Sequence, residues 1–205
     1  MNGASNMACQ GVIFDMDGTI VEPLLDFDAI RARLDIAAEE GIIEAIAAMP
    51  APRRQHATDW LEAQELDVAR RARLMPGAAV TLARIRAAGL KTALLTRNTA
   101  AAMRTVLGRF PDLAFDLTMS REDAKIKPEP DGILLACRNL GIDPHYTICV
   151  GDFLYDLIAA KAAGAVAVLL APDRRPDFAH RADHVIASLA ELPALLGSNS
   201  VVGRT

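Results

Sequence analysis

Two aspartates, Asp15 and Asp17, stand one residue apart directly after the apolar run at residues 12–14. A buried strand that ends in this way brings two carboxylates close together, and each raises the free energy needed to ionise the other. A strand end needs no such pair in order to fold, whereas a bound cation would offset the repulsion. Gly18 and Thr19 follow at once, and the pair raises the hypothesis that a cation binds at this strand end.

Polar residues of three further clusters lie next to other apolar or helical segments. They are Thr96, Arg97 and Asn98 after the run at 91–95, Asp152 and Asp156 at the end of the run at 146–151, and Lys125 and Lys127 before a helical segment at 130–140. Taken singly, such residues are most often helix caps, turn residues or solvated lysines. Ligands of a parallel α/β sheet bind at the carboxyl ends of its strands, so the clusters together predict one site at that edge.

The elements that must position these residues follow from the hydrophobic pattern. Apolar runs predict strands at 11–15, 91–96, 115–119, 146–151, 165–171 and 184–187. The segments between them predict helices at about 77–88, 99–109, 130–140, 154–163 and 188–196. Continuous apolar strands separated by helices indicate an α/β fold, with a Rossmann-like parallel sheet covered by helices on both faces.

One segment interrupts the alternation of strands and helices. Residues 24–75 carry only helical patterns, which predicts a small all-helical cap inserted after the first strand. The α/β core is then expected at 8–23 and 76–197, with flexible termini at 1–7 and 198–205.

The stretches DMDGT, LLTRN, KPEP and GDFLYD, in that order, resemble the four motifs of the haloacid dehalogenase superfamily. The match covers about residues 11–171, and the inserted helices resemble the cap that many members carry. Within the superfamily, the chain looks closest to the phosphoglycolate phosphatase-like branch.

The resemblance implies a role for each motif residue. Asp15 would be the nucleophile and Asp17 the general acid and base, while Thr96 and Lys127 would hold phosphoryl oxygens. Mg²⁺ would be the cofactor. The residues that the resemblance places around the metal are Asp15, Asp17 through its backbone carbonyl, Asp152 and Asp156. The substrate-binding set would be Gly18, Thr19, Thr96, Arg97, Asn98 and Lys127, with Gly18 allowing backbone N–H groups to approach the phosphate.

These roles predict a Mg²⁺-dependent phosphatase that hydrolyses a small phosphomonoester, phosphoglycolate-like or a sugar phosphate, through an aspartyl-phosphate. Asp17 favours this chemistry, because dehalogenases of the superfamily lack a carboxylate there. Two alternatives stay open: a phosphomutase of the same fold, which the short cap disfavours, and a non-catalytic binding protein, which the intact Asp15 and Asp17 disfavour.

Composition sets limits on partners and location. The net charge of −4 lacks the basic excess that nucleic-acid binding needs, and no apolar run approaches the length of a membrane span. Cys9, Cys137 and Cys149 share no metal-ligand spacing and are expected to be reduced thiols of a cytoplasmic protein. The expected partner is a small phosphorylated metabolite; no oligomeric state is predicted.

The cap contains a basic cluster of Arg53, Arg54 and His56. Such a cluster is most often the solvated start of a helix, but it could also bind a substrate carboxylate. Trp60 is expected in the cap core.

Overall fold

The computed structural model describes residues 9–23 and 25–197, so the termini predicted to be flexible lie outside the described residues. One parallel sheet of six strands in the order β3-β2-β1-β4-β5-β6 forms the centre of the molecule. Its strands are β1 (Gly11–Phe14), β2 (Lys91–Leu95), β3 (Leu117–Met119), β4 (Thr147–Gly151), β5 (Val166–Leu170) and β6 (His184–Ile186). β1 lies between β2 and β4, with Phe14 opposite Leu94 and Val150, so the residues that follow these three strands meet at one edge.

Eight α-helices lie within the described residues. They are α1 (Phe27–Leu34), α2 (Ile42–Ala48), α3 (Ala51–Arg71), α4 (Ala78–Ala87), α5 (Ala100–Arg109), α6 (Asp131–Leu140), α7 (Leu154–Ala162) and α8 (Leu192–Gly197). Short 3-10 helices occupy Pro144–Tyr146, Asp177–Arg181 and Leu189–Glu191. Within the described residues, no helix combines the length and apolar character that crossing a membrane requires.

Two hydrophobic cores lie on opposite faces of the sheet. Val12 and Phe14 of β1 join one core with residues of α4 and α5, whereas Ile13 joins the other with residues of α6 and α7. This alternation follows from the two-residue period of a strand. The predicted α/β fold with helices on both faces is therefore confirmed.

The helices α1, α2 and α3 share a third, smaller core. Its buried residues are Ile30, Ile36, Ile42, Ile46, Ala57 and Leu61, and Trp60 packs against it, as expected. The chain leaves and re-enters the α/β part side by side: the Glu22 N–H donates to the Arg73 carbonyl at 2.9 Å, and the Met75 N–H donates to the Ile20 carbonyl at 2.9 Å. We call α1–α3 and their connections the cap.

Some predicted boundaries differ from the observed ones. β3 begins at Leu117 rather than 115, because the Asp116 carboxylate accepts hydrogen bonds from the Thr92 N–H and hydroxyl. The predicted helix at 188–196 is instead a 3-10 turn followed by α8. There the Ser188 hydroxyl accepts from the Ala190 N–H and the Glu191 carboxylate accepts from the Ser188 N–H, which tightens the start.

Candidate active site

The residues of the four sequence motifs meet beneath the cap, at the carboxyl edge of the sheet. Asp15 and Asp17 follow β1, Thr96 follows β2, and Asp152 follows β4. Lys127 comes from the loop before α6 and Asp156 from the first turn of α7. These six residues line a single cavity of about 220 Å³.

Lys127 is the central charge of the site. Its buried ammonium donates to Asp15 Oδ1 at 2.5 Å, to Asp156 Oδ1 at 2.6 Å and to the Leu95 carbonyl at 3.0 Å. Burial alone would lower the pKa of Lys127, but the two carboxylates outweigh it and raise the pKa above its ordinary value. Lys127 is therefore a fixed cation within the site, whereas the Lys125 side chain is 72% exposed.

Three carboxylates of the site titrate well above their usual range. Burial is the largest cause in each case: it raises the pKa of Asp15 to about 6, where Lys127 opposes it. Burial and the neighbouring Asp15 raise the pKa of Asp17 to about 7, and burial with Asp15 and Asp156 raises that of Asp152 to about 8. The single ammonium of Lys127 thus leaves excess negative charge in the site.

A divalent cation fits this excess charge. One carboxylate oxygen each of Asp15, Asp152 and Asp156 lie within 4.8 Å of one another. An all-oxygen donor set of this kind suits a hard cation such as Mg²⁺. The Asp17 carboxylate is not part of this group; the sequence-based expectation for Asp17 concerned its backbone carbonyl.

The Asp17 carboxylate is held by Asn98, whose amide nitrogen donates to Asp17 Oδ2 at 2.6 Å. Asn98 is itself fixed, because its backbone N–H donates to the Thr96 hydroxyl at 3.1 Å. The motif after β2 therefore orients the carboxylate after β1. This role for Asn98 differs from the substrate contact that the sequence suggested, although both residues line the cavity.

Gly18 and Thr19 do not line the cavity in the described part of the chain. The N–H of Gly18 itself donates to the Val21 carbonyl at 2.8 Å. The structure shows a steric reason for glycine at this position: its φ is +74°, and a Cβ there would lie 2.0 Å from the Asp152 carboxylate. The Thr19 hydroxyl is buried and has no hydrogen-bond partner among the described residues.

Arg97 lines the cavity but its guanidinium is already engaged. It donates to both carboxylate oxygens of Glu44 in α2, at 2.9 and 3.0 Å, and to the Lys127 carbonyl. It also lies over the ring of Tyr155, at 4.7 Å from the centroid. Arg97 therefore joins the cap to the core, a role that the sequence-based expectation of substrate binding did not include.

A second cap-to-core connection was missed by the sequence analysis altogether. Arg121, after β3, donates to Glu65 at 2.5 Å and to Glu62 at 3.2 Å, both on α3. Glu65 is buried, and burial raises its pKa while Arg121 opposes the rise. A sequence signal does exist. The buried positions of α3 are four residues apart, and Glu65 occupies one of them in line with Ala57, Leu61 and Ala69.

The two arginines of the basic cluster bind backbone carbonyls within the cap. Arg53 donates to the carbonyl of Leu34 at 2.8 Å, and Arg54 donates to that of Ala47 at 3.3 Å. These carbonyls lie at the C-terminal ends of α1 and α2, where cations are favoured by orphan carbonyls and by the helix dipole. Neither arginine nor His56 is among the described residues that line the cavity, so the hypothesis of carboxylate binding by this cluster is not supported.

Known proteins are similar to this chain in sequence and in fold. The model of the haloacid dehalogenase-like hydrolase family matches residues 9–164. A haloacid dehalogenase-like hydrolase domain-containing protein of Arabidopsis thaliana is 30% identical, with 93% of this chain and 84% of that protein covered. The phosphoglycolate phosphatase of Shigella dysenteriae is 30% identical, with 78% and 80% covered. A HAD phosphatase from Thermococcus onnurineus superposes with a TM-score of 0.68 at 28% identity, with 92% and 98% covered.

The chain belongs to the haloacid dehalogenase-like hydrolase family. Its relatives in that family include phosphatases, and the chain is a phosphoric monoester hydrolase. The resemblance noted from the four motifs is confirmed.

Proposed function

We propose that the protein is a Mg²⁺-dependent phosphatase that hydrolyses a small phosphate monoester through a phospho-aspartate on Asp15. The observation that carries this proposal is the convergence on one cavity of a buried Lys127, the carboxylate cluster and the Asn98-bound Asp17. Asp15, Asp152 and Asp156 would hold the metal, which, when bound, offsets the charge of the carboxylates and of the phosphoryl oxygens.

Asp15 is the group placed to attack phosphorus. Its contact with Lys127 favours the ionised form and fixes its orientation, and the same ammonium would stabilise negative charge on the phosphoryl group in the transition state. The new bond joins an Asp15 carboxylate oxygen to phosphorus as the bond from phosphorus to the leaving oxygen breaks.

Asp17 is placed to move the protons. In the first step it donates a proton to the leaving oxygen; in the second it accepts one from the water that attacks the phospho-aspartate, which releases inorganic phosphate and restores Asp15. A pKa raised to about 7 allows both protonation states near neutral pH. The hydrogen bond from Asn98 holds the carboxylate in place for both steps.

Metal dependence is tested by phosphate release from p-nitrophenyl phosphate. Protein stripped with EDTA should be inactive, and Mg²⁺ should restore activity far better than Ca²⁺, whose looser and higher coordination misplaces the nucleophile. Equal rates for EDTA-treated and Mg²⁺-loaded protein would contradict the proposed metal.

The covalent step is tested with two variants and intact-mass analysis of acid-quenched protein. Asp15→Asn should give no phosphorylated species. Asp17→Asn keeps the nucleophile but loses both the acid of the first step and the base of the second. With p-nitrophenyl phosphate, whose leaving group departs without a proton, the first step still proceeds, so the phosphorylated species should accumulate while turnover falls by roughly 10²–10⁴-fold. A phosphorylated Asp15→Asn protein would rule out Asp15 as the nucleophile.

A further inference from the structure

The cavity has two chemically different ends. The charged end holds the carboxylates and Lys127, whereas the cap contributes a mostly apolar wall. That wall is formed by Leu25, Phe27, Ile42, Ile43 and Leu61. If the phosphoryl group occupies the charged end, the leaving group of the substrate must lie against this wall.

The core side of the same cavity adds aromatic surface. Phe153 and Tyr155 both line it, with ring centroids 5.2 Å apart, and Phe153 also contacts Phe178 at 5.8 Å. Phe153 is 48% exposed, as is Phe27 on the cap side. Large apolar side chains that stay half exposed at a cavity gain free energy when an apolar ligand covers them.

The charged side chains that line the cavity near the apolar wall are already paired. Arg97 is held by Glu44, and Glu65 is held by Arg121. Arg31 lies 3.5 Å from Asp28. Hydroxyl groups of a sugar placed here would lose water and meet apolar carbon, which is unfavourable unless they are hydrogen-bonded.

We infer that the preferred substrates are phosphate monoesters whose leaving group is compact and apolar, rather than a sugar or a short carboxylic acid. The inference rests on the proposed phosphatase function. A cavity of about 220 Å³ is smaller than the roughly 300–1,000 Å³ of pockets for drug-sized ligands, which restricts the leaving group to the size of a single ring.

Two esters with the same ring size and the same kind of leaving oxygen test this inference. Cyclohexylmethyl phosphate and glucose 6-phosphate are both esters of a primary alcohol on a six-membered ring, and they differ chiefly in hydroxylation. We expect kcat/KM to be about 10–100-fold higher for cyclohexylmethyl phosphate, the range over which an apolar pocket discriminates. Phosphoglycolate is measured alongside. Acetyl phosphate, which has a small leaving group, shows whether the residues of the charged end catalyse phosphate release at all.

Two exposed apolar residues, Phe27 and Val80, provide the test variant and its control. Phe27→Ser should lower kcat/KM for cyclohexylmethyl phosphate several-fold more than for glucose 6-phosphate. Val80, on α4, is 59% exposed and is not among the residues that line the cavity in the described part of the chain, so Val80→Ser should leave the ratio unchanged. Thermal unfolding of both variants confirms that they are folded.

The outcomes separate this inference from the proposed function. Hydrolysis of acetyl phosphate together with an equal or higher kcat/KM for glucose 6-phosphate or phosphoglycolate overturns the apolar preference and leaves the phosphatase intact. If Phe27→Ser lowers kcat/KM equally for cyclohexylmethyl phosphate and glucose 6-phosphate, the role of the cap wall is overturned. Mg²⁺-loaded protein that releases phosphate from none of these compounds overturns the proposed function and the inference with it.

Discussion

At the scale of single residues, the site is a problem of charge balance. Asp15 and Asp156 both contact one ammonium, that of Lys127, and an oxygen of Asp152 lies within 4.8 Å of theirs. The raised pKa values of Asp15 and Asp152 reflect the free-energy cost of ionising these carboxyls there. Glycine makes the crowding sterically possible: a Cβ at Gly151 would lie 2.2 Å from the Asp156 carboxyl carbon. Such an arrangement stores repulsion that a cation can relieve.

Replacing Lys127 should therefore be far more damaging than replacing its neighbour Lys125. Lys127→Ala removes the only ammonium that reaches the buried carboxylates among the described residues, and we expect kcat to fall by about 10²–10³-fold. Lys125→Ala should leave kcat unchanged, because its exposed side chain reaches only Asp131, at 3.7 Å. Steady-state kinetics with Mg²⁺, on variants shown to be folded by circular dichroism, provide the check. A crippled Lys125→Ala and a fully active Lys127→Ala would mean that the two lysines had been assigned the wrong way round.

The sequence was sufficient for the identity of these residues but not for all of their contacts. The proline after Lys127 and the apolar runs before Asp15 and Asp152 could be recognised from residue order alone. The steric constraint on Gly18 could not be predicted, because it depends on how closely the Asp152 carboxylate, distant in sequence, packs against this glycine.

At the scale of elements, two groups of ion pairs join the cap to the core. Arg97 pairs with Glu44 of α2, and Arg121 pairs with Glu62 and Glu65 of α3. The helix α3 also contributes to the core of the cap and to one core of the sheet, through Leu61 and Ala69 respectively. The strands could be predicted to within one or two residues because their apolar runs are continuous. The periodicity of α3 indicates that Glu65 is buried, but it does not indicate which residue outside the helix pairs with it.

The buried pair of Arg121 and Glu65 should contribute to stability, whereas an exposed pair on the same helix should not. Arg121→Ala leaves Glu65 buried without its cation, and we expect the free energy of unfolding to fall by about 3 kcal/mol. Arg71→Ala, which breaks the exposed pair with Asp67, is the control and should cost less than about 1 kcal/mol. Urea unfolding measures both.

A double variant distinguishes loss of the pair from loss of packing. Arg121→Met with Glu65→Leu removes both charges and retains most of the volume, so it should recover much of the stability that Arg121→Ala loses. Equal losses for Arg121→Ala and Arg71→Ala would show that the buried position of Glu65 has no energetic consequence.

At the scale of the whole molecule, the cap and the sheet edge together enclose a cavity whose two ends differ in chemistry. The existence of the cap could be predicted from the long helical interruption after β1. The residues of its inner surface could not be predicted, because the orientation of each helix is set by packing. Arg53 and Arg54 bind the carbonyls of Leu34 and Ala47 and do not line the cavity within the described residues. The apolar side chains of α1 and α2 occupy the position that the basic cluster was considered for.

Stability of the whole protein should depend on pH and Mg²⁺ together. The folded pKa values of Asp15, Asp17 and Asp152, about 6, 7 and 8, lie above the ordinary value of 3.8. A carboxyl whose pKa is raised by folding contributes stability that is fully present below the unfolded pKa and is lost as pH rises through the folded pKa. The midpoint temperature of metal-free protein should therefore fall between pH 5 and pH 8. Mg²⁺ competes with protons for the same oxygens, so the increase in midpoint temperature that it produces should be larger at pH 8 than at pH 5.

Differential scanning fluorimetry with EDTA or Mg²⁺ across this pH range makes the measurement, and Asp152→Asn is the informative variant. It removes the carboxylate whose pKa is raised most, and with it one of the three clustered oxygen ligands. The midpoint temperature of the metal-free variant should fall less between pH 5 and pH 8 than that of the unaltered protein. Mg²⁺ should raise the midpoint temperature of the variant only weakly at both pH values. A Mg²⁺ response of the unaltered protein that is the same at pH 5 and pH 8 would show that the ion binds away from these carboxylates, because only their deprotonation ties its affinity to pH in this range.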